Sequence, residues 1–481
     1  MNVLNQASHS TKIILIVVLA LAVPASLWAL QGNDPLEDFE EGLKGKAPTR
    51  KGAVKQDVVN ASPINAPVVG AALPNGFTPQ TRLGYTSGDQ WEPAIAADRF
   101  GHVYMLYSQY EGVPGCASCS NPTQILQISS DHGTTWSSPK IMYPAGAASG
   151  GQWDSQIAVD PVDGRTVYAS FMQNNKSDII VAKSTDFGAS WTYATADATN
   201  SGTDKPILAV RGQNVHVVYN HSQTIWSANS HDGGQTFTEV RINSNGKLGW
   251  ALAGGGAVTP SGSVFFSWAG YERSGGATGN VNLYVSRSTD GGATWSSRVL
   301  EVSASPPQCP EYNCGWAYLG AQMVMTSDAS GTVYVMWNSG ATPEAPGRIY
   351  FSKSTDNGDT WSAKVDVSTA PLGTHHNFPA IAATGSGDVR VAWMDTRVAN
   401  GGIDRWNVYY RSSANGGSTW SSEVDVSPFA SGVPYIFNEG FRFPFGDYYE
   451  MDIDENGTAH LIFGEGFDYN APGSIWYTKG P

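Results

Sequence analysis

Charge is scarce in this chain. Only 15% of its residues are Asp, Glu, Lys or Arg, and the positive ones are the fewer, 28 against 42, for a net charge of −14. Binding to nucleic acid relies on Lys and Arg neutralising phosphates, so this balance excludes a nucleic-acid partner and disfavours an extended polyanion. Cysteine is nearly absent, with four residues in 481. After residue 30 no apolar run reaches the length that spans a bilayer, and no Cys near the leading segment offers a lipid anchor. Metal-ligand spacing is missing too. His375 and His376 are adjacent and would point to opposite faces of a strand. The run Asp452-Ile453-Asp454-Glu455-Asn456-Gly457 lacks the rest of a calcium loop and reads as a hairpin turn. Nothing in the sequence asks for a cofactor or a metal.

What the chain does have is glycine and aromatics: 54 Gly, 16 Trp and 21 Tyr. Low charge with many glycines and aromatics suits short strands joined by tight turns. Residues 1–30 form an export signal: Lys12 precedes an apolar run from Ile13 to Leu21, followed by Val23-Pro24-Ala25 and Ala29. Cleavage after Ala25 or Ala29 gives a secreted, periplasmic or cell-envelope protein. Without cleavage the same segment is an N-terminal anchor and the chain's membrane contact. Residues 31–74 carry an acidic cluster, a basic stretch and a Pro, Ala and Val-rich run without periodicity, the pattern of a linker. In an oxidising compartment the cysteines form two local disulfides, Cys116 with Cys119 and Cys309 with Cys314. A metal site built from all four would need the two loops to meet and has no His nearby.

From residue 75 the texture changes. One turn recurs six times: SSDHGTTW at 129–136, STDFGASW at 184–191, SHDGGQTF at 230–237, STDGGATW at 288–295, STDNGDTW at 354–361 and SANGGSTW at 413–420. The acidic position is filled by Asp131, Asp186, Asp232, Asp290 and Asp356, with Asn415 the departure. A short acid can accept hydrogen bonds from backbone N–H groups just ahead of it and so fix a turn. The Gly two residues later permits a positive φ, and the closing Trp or Phe supplies apolar surface. Alternating residues flank each copy, so each is a turn between two strands.

A second repeat is a pair of apolar strands joined by a polar, Gly-containing turn, as at 93–107, 155–171, 322–337, 379–393 and 449–463, with weaker copies at 206–219 and 251–268. Seven inner hairpins against six turns leave one blade short of a strand. Residues 474–478 resemble a third strand, and residues 77–83 resemble the strand that follows each turn. If the latter supplies the missing fourth strand, the fold is an all-β, seven-bladed propeller of four-stranded blades, closed by an N-terminal strand. Closure removes the open sheet edge. Six blades with an extra hairpin is the alternative.

The six-fold turn resembles the Asp box, or bacterial neuraminidase (BNR) repeat, of the sialidase superfamily, and the resemblance spans residues 77–481. It implies that the Asp-box residues are structural and face away from the ligand site. It further implies a glycoside hydrolase or a carbohydrate-binding relative of one. The Arg-Ile-Pro motif of that family is missing. The matching first-blade place reads Trp91-Glu92-Pro93, the sixth reads Asn377-Phe378-Pro379, and Phe441-Arg442-Phe443-Pro444 lies several residues before the last inner hairpin. No catalytic residue of the family carries over, and exo-sialidase activity is not expected.

In such a propeller the starts of the inner strands share one face with the loops after the second strands. That face gathers Glu92, Asp154, Asp204, Lys205, Trp250, Tyr318, His376, Asp447 and Tyr448, with Glu272, Arg273, Asp395, Arg397, Glu439 and Arg442 from loops. Paired carboxylates are what glycoside hydrolysis needs, so Glu92, Asp154, Asp447 and Tyr448 are the catalytic candidates. Asp204, Trp250, Arg273, His376, Arg397 and Arg442 are the ligand-binding candidates, arginines for a carboxylate and Trp91, Trp153 and Trp250 for sugar faces. The partner read from this face is a glycan or polysaccharide. The alternative is a non-catalytic scaffold or assembly factor that binds a protein at the cell envelope.

Overall fold

Alternating apolar residues separated by Gly-rich turns fold here into seven four-stranded antiparallel sheets. The computed structural model describes residues 76–88, 90–148, 150–198, 202–221, 223–243, 248–272, 279–307, 320–399, 406–427, 450–465 and 474–481. The segments read as signal and linker lie outside these residues. Strand β1 (Thr81–Leu83) comes first. Blade one is β2 (Gln90–Ala97), β3 (Val103–Gln109), β4 (Thr123–Ser129) and β5 (Lys140–Ile141). Blade two is β6 (Trp153–Val159), β7 (Val167–Gln173), β8 (Asp178–Ser184) and β9 (Thr192–Asp197), and blade three is β10 (Thr203–Arg211), β11 (Asn214–His221), β12 (Thr224–Ser230) and β13 (Thr238–Arg241). Blade four is β14 (Trp250–Val258), β15 (Val264–Tyr271), β16 (Val281–Ser288) and β17 (Ser296–Ser303), and blade five is β18 (Met323–Ser327), β19 (Val333–Ser339), β20 (Arg348–Ser354) and β21 (Val365–Asp366). Blade six is β22 (His376–Thr384), β23 (Asp388–Asp395), β24 (Asn407–Ser413) and β25 (Val424–Asp425). Blade seven is β26 (Glu450–Ile453), β27 (Ala459–Glu465) and β28 (Ser474–Gly480), completed by β1.

The inner strands β2, β6, β10, β14, β18, β22 and β26 pack in a ring, β26 returning to β2. The seven-blade reading holds, and six blades is excluded. β1 pairs antiparallel with β28, Thr81 opposite Tyr477, Arg82 opposite Trp476 and Leu83 opposite Ile475. Thr78 N adds a hydrogen bond to Lys479 O at 2.8 Å.

Each Asp box closes on itself. In the first, Ser129 Oγ donates to Asp131 Oδ1 at 2.8 Å and accepts Gly133 N–H at 2.8 Å. Thr135 then gives its N–H to Oδ1 and its hydroxyl to Oδ2 of Asp131, both at 2.7 Å. The same hydroxyl-to-carboxylate bond recurs at Asp186, Asp232, Asp290 and Asp356. Asn415 reverses it, donating from Nδ2 to Thr419 Oγ1 at 2.8 Å. The donated hydroxyls, then the backbone N–H groups, hold Asp186, Asp290 and Asp356 down to about 2. Those carboxylates are ionised and fully engaged in a turn, as a structural role requires.

The box glycine has two reasons to be glycine. Gly133 and Gly417 take φ of +73° and +79°, and a Cβ on them would stand 1.9 Å from Tyr477 Oη and 2.3 Å from the Phe351 ring. Both contacts reach the preceding blade, so the turn that ends one sheet also docks it on its neighbour. The boxes bond to the inner-hairpin turns, as in His132 N to Gly101 O and Gly416 N to Gly387 O. They therefore share a face with those turns, opposite the starts of the inner strands.

Ring closure is testable by truncation. Phe77 and Leu83 are 3% and 0% exposed, and each buried side chain of this size contributes about 1.5–3 kcal/mol. A chain beginning at residue 85 should lose about 3–6 kcal/mol of stability relative to one beginning at residue 75. Urea unfolding of the two proteins measures this, and equal midpoints would contradict closure by β1.

Candidate functional site

At the upper ends of the inner strands the same backbone device recurs. Glu92, Asp154, Lys205 and Phe378 take positive φ of 56°, 51°, 49° and 48°. Each sits where the ladder to the second strand shifts register, between Trp91 and Ala94, Trp153 and Gln156, Asp204 and Ile207, and Asn377 and Ala380. Left-handed non-glycine residues often mark an active site. Here four blades share the feature, which makes it part of the repeat.

The carboxylates at these bulges reach sideways to the next blade. Glu92 Oε2 accepts Asp154 N–H at 3.2 Å and Ser108 Oγ–H at 3.0 Å. Asp154 Oδ2 accepts Lys205 N–H at 3.4 Å, and Asp204 Oδ2 accepts Asn220 Nδ2 at 3.3 Å. Glu92 is 1% exposed, and Asp154 and Asp204 are buried with it. These three candidates thus link blade one to two, two to three, and the strands of blade three. Trp91, Trp153 and Trp250 are also buried: Trp91 packs on Tyr110 with ring centres 4.6 Å apart, and Lys176 Nζ lies 5.7 Å from the Trp153 ring centre.

The blade-six candidates turn toward one another. Arg397 Nε donates to Asp395 Oδ1 at 2.9 Å, Nη2 to Asp395 Oδ2 at 2.5 Å, and Nη1 to Glu423, while the guanidinium lies 3.6 Å from the Tyr409 ring centre. His376 Nε2 meets Ser368 Oγ at 2.8 Å, and Nδ1 faces the carbonyls of Gly347 and Thr374, each at 3.0 Å. Burial, then the nearby Arg348, lowers the His376 pKa to about 3, so the ring is neutral. This network ties blade six to the β19–β20 loop of blade five and to the segment that joins the two blades. Glu272 Oε2 accepts Asn280 N–H at 3.0 Å. Tyr318, Asp447, Tyr448, Arg273, Glu439, Arg442, Cys309 and Cys314 lie outside the described residues. The Cys116–Cys119 disulfide is formed.

The ring axis holds a cavity of about 330 Å³, lined by inner-strand residues including Gln156, Lys205, Gln322, Phe378, Glu450 and Asp452. Two carboxylates in it were not among the sequence candidates. Glu450 Oε2 accepts Ile95 N–H at 3.3 Å, and its Oε1 accepts Gln156 Nε2. Asp452 Oδ2 accepts Ala97 N–H at 2.8 Å, and Oδ1 accepts Ile453 N–H at 2.8 Å. The turn reading of Asp452 is thereby corrected: it belongs to β26 and faces the axis, and only Asp454 onward forms the turn. Protein surrounds both groups, though the cavity leaves them partly accessible. Burial, outweighing the hydrogen bonds each accepts, raises Glu450 to about 8 and Asp452 to about 6. The shift favours the protonated form of Glu450.

A signal for these two existed in the repeats. Two residues before the turn residue the other blades place Ala96, Ala158, Ala209, Ala257, Thr326 and Ala382, and the seventh places Asp452. Two residues earlier stand Ala94, Gln156, Ile207, Gly255, Val324 and Ala380, and the seventh has Glu450.

Residues 78–301, from the closing strand through the fourth blade, match the family model described as "BNR repeat-like domain". The resemblance read from the turns is borne out by that match and by the blades themselves. No curated protein matches the chain. Among solved structures, a protein of unknown function from Dyadobacter fermentans is similar at 12% identity, over 86% of this chain and 99% of that one, with a TM-score of 0.48. A Hadza microbial sialidase is similar at 15% identity, over 82% of this chain and 65% of that one, with a TM-score of 0.42. A polysaccharide lyase, an ulvan lyase, is similar at 11% identity over 85% and 94%, with a TM-score of 0.48.

The raised carboxyls give stability a definite pH dependence. Folded values above the unfolded ones mean that the contribution is whole below about pH 4 and is lost as pH rises, through about 6 for Asp452 and about 8 for Glu450. Glu450→Gln should flatten the decline between about pH 5 and 8, by up to roughly 1.4 kcal/mol per pH unit that its titration spans. Urea midpoints from pH 5 to 9 measure it, and identical slopes in the two proteins would contradict the assignment.

Proposed function

We propose that the chain is an exported propeller that binds a glycan or polysaccharide at the mouth of its central cavity. Where cleavage accompanies binding, Glu450 is the proton donor. One observation carries this reading: Glu450 lines a cavity on the ring axis beside Asp452, and the protein around it raises its pKa to about 8. Glycoside cleavage asks for such a group, since the leaving oxygen must be protonated. Gln156 and Lys205 add a polar lining beside it. Export rests on residues 1–30 and their signal-like order of charge, apolar run and small residues.

A second reading has its own support. Glu92 and Asp154 hold backbone N–H groups of the next blade, and Arg397 is engaged by Asp395 and Glu423. A face whose charged groups serve the ring in this way suits a non-catalytic scaffold that binds a protein partner.

The two readings separate in one screen. Purified residues 75–481 are presented with sialosides, aryl glycosides and plant or bacterial polysaccharides, scoring both retention and cleavage. The glycan reading expects at least one class bound, with sialosides not cleaved. Where cleavage occurs, Glu450→Gln should lower kcat by about 100-fold or more. No binding or cleavage at high protein concentration would end the glycan reading in favour of the scaffold.

A further inference from the structure

On the Asp-box face, each inner hairpin of blades one, five and seven is closed by an aspartate. Asp98 Oδ1 accepts the N–H groups of Phe100 and His102 at 2.8 and 2.9 Å, and Asp454 Oδ1 accepts those of Asn456 and Thr458 at 2.9 and 2.8 Å. The other oxygen normally takes a tyrosine of the same blade: Tyr104 gives its hydroxyl to Asp98 at 2.7 Å and Tyr334 to Asp328 at 2.8 Å. Blade seven departs from this pattern. His460 stands in the tyrosine's place, with Nε2 3.2 Å from Asp454 Oδ2.

A second departure meets it across the seam. The residue after the acid in the Asp boxes is Phe187, Gly233, Gly291, Asn357 or Gly416 in blades two to six, but His132 in blade one. His132 Nδ1 lies 3.2 Å from Asp454 Oδ2 and 3.7 Å from Glu455 Oε1. The three donor atoms fall within 4.8 Å of one another. Metal bonds of about 2.1 Å in a tetrahedral shell hold ligand atoms about 3.4 Å apart, a spacing close to the 3.2 and 3.7 Å that separate His132 from the two carboxylates.

We infer that His132, Asp454 and Glu455 form a site for a first-row divalent cation such as Zn2+, which bridges blades seven and one at the seam where the ring closes. One imidazole nitrogen and two carboxylate oxygens suit such an ion, whereas Ca2+ wants six to eight oxygens. The surroundings support it. Tyr477 Oη meets His460 Nδ1 at 2.7 Å, so His460 is held in the orientation that steadies Asp454, as groups behind metal ligands do. Asn456 Nδ2 stands 3.3 Å from His132 Nδ1, and turning that amide over would offer its oxygen as a fourth ligand. His132 and Asp454 are 322 positions apart, which hides the set from any spacing rule.

The test uses the purified full chain stripped with a chelator. Equilibrium dialysis with metal analysis should give one Zn2+ per chain, and Zn2+ but not Ca2+ should raise the melting temperature. Glu455→Gln changes an exposed side chain, and His132→Asn keeps a residue that tolerates positive φ. Each should weaken Zn2+ binding at least tenfold while leaving the metal-free melting temperature within a few degrees. The inference is overturned if no stoichiometric Zn2+ binds, or if the double variant binds Zn2+ as tightly as the parent. The site lies on the face opposite the proposed glycan mouth, so the two ideas fail or stand separately.

Discussion

The structure depends on a pairing between chain ends. β1 comes before the first blade in sequence, yet it is the outermost strand of the last. Until Thr81–Leu83 meet Ile475–Tyr477, the seventh sheet keeps an open edge and the ring is not closed. Other contacts gather at the same seam. Glu450 and Asp452 take N–H groups of β2, and Lys479 reaches the first Asp box. Blade seven is thus both the joint of the molecule and the blade that departs most from its siblings.

That coincidence shapes where function can sit. A repeat spreads one solution over many copies, so a feature found in several blades answers to the fold. The positive φ at Glu92, Asp154, Lys205 and Phe378 is of this kind, and so are the Asp-box carboxylates. A feature found in one blade is freer to answer to something else. Glu450 and Asp452 replace the small or uncharged side chains that the other blades turn inward, and desolvation there raises the pKa of Glu450.

What could be read in the sequence was local or countable. The Asp-box turn closes through bonds that span at most four residues, so its pattern survives in the linear text. Seven hairpins against six turns led to the closing strand by arithmetic. The site resisted because direction and distance decide it. Glu92 and Asp154 have the residue type of catalytic acids, but their left-handed backbone aims them at the neighbouring blade. The acids of β26 lay in a run that also contains a turn, and only an alignment of the blades separates Asp452 from Asp454. His376 and Arg397 did come together, in a buried network with Ser368, Asp395 and Glu423.

The proposed chemistry of the cavity depends on the ionisation of Glu450. Carbon-13 labelling of glutamate side chains, with Glu450→Gln to assign the resonance, would follow that carboxyl directly by NMR. A midpoint near pH 8, well above the ordinary glutamate value, is the expected result. A midpoint near pH 4.5 would show a solvated carboxylate, and would remove the one group on which the proposed chemistry of the cavity rests.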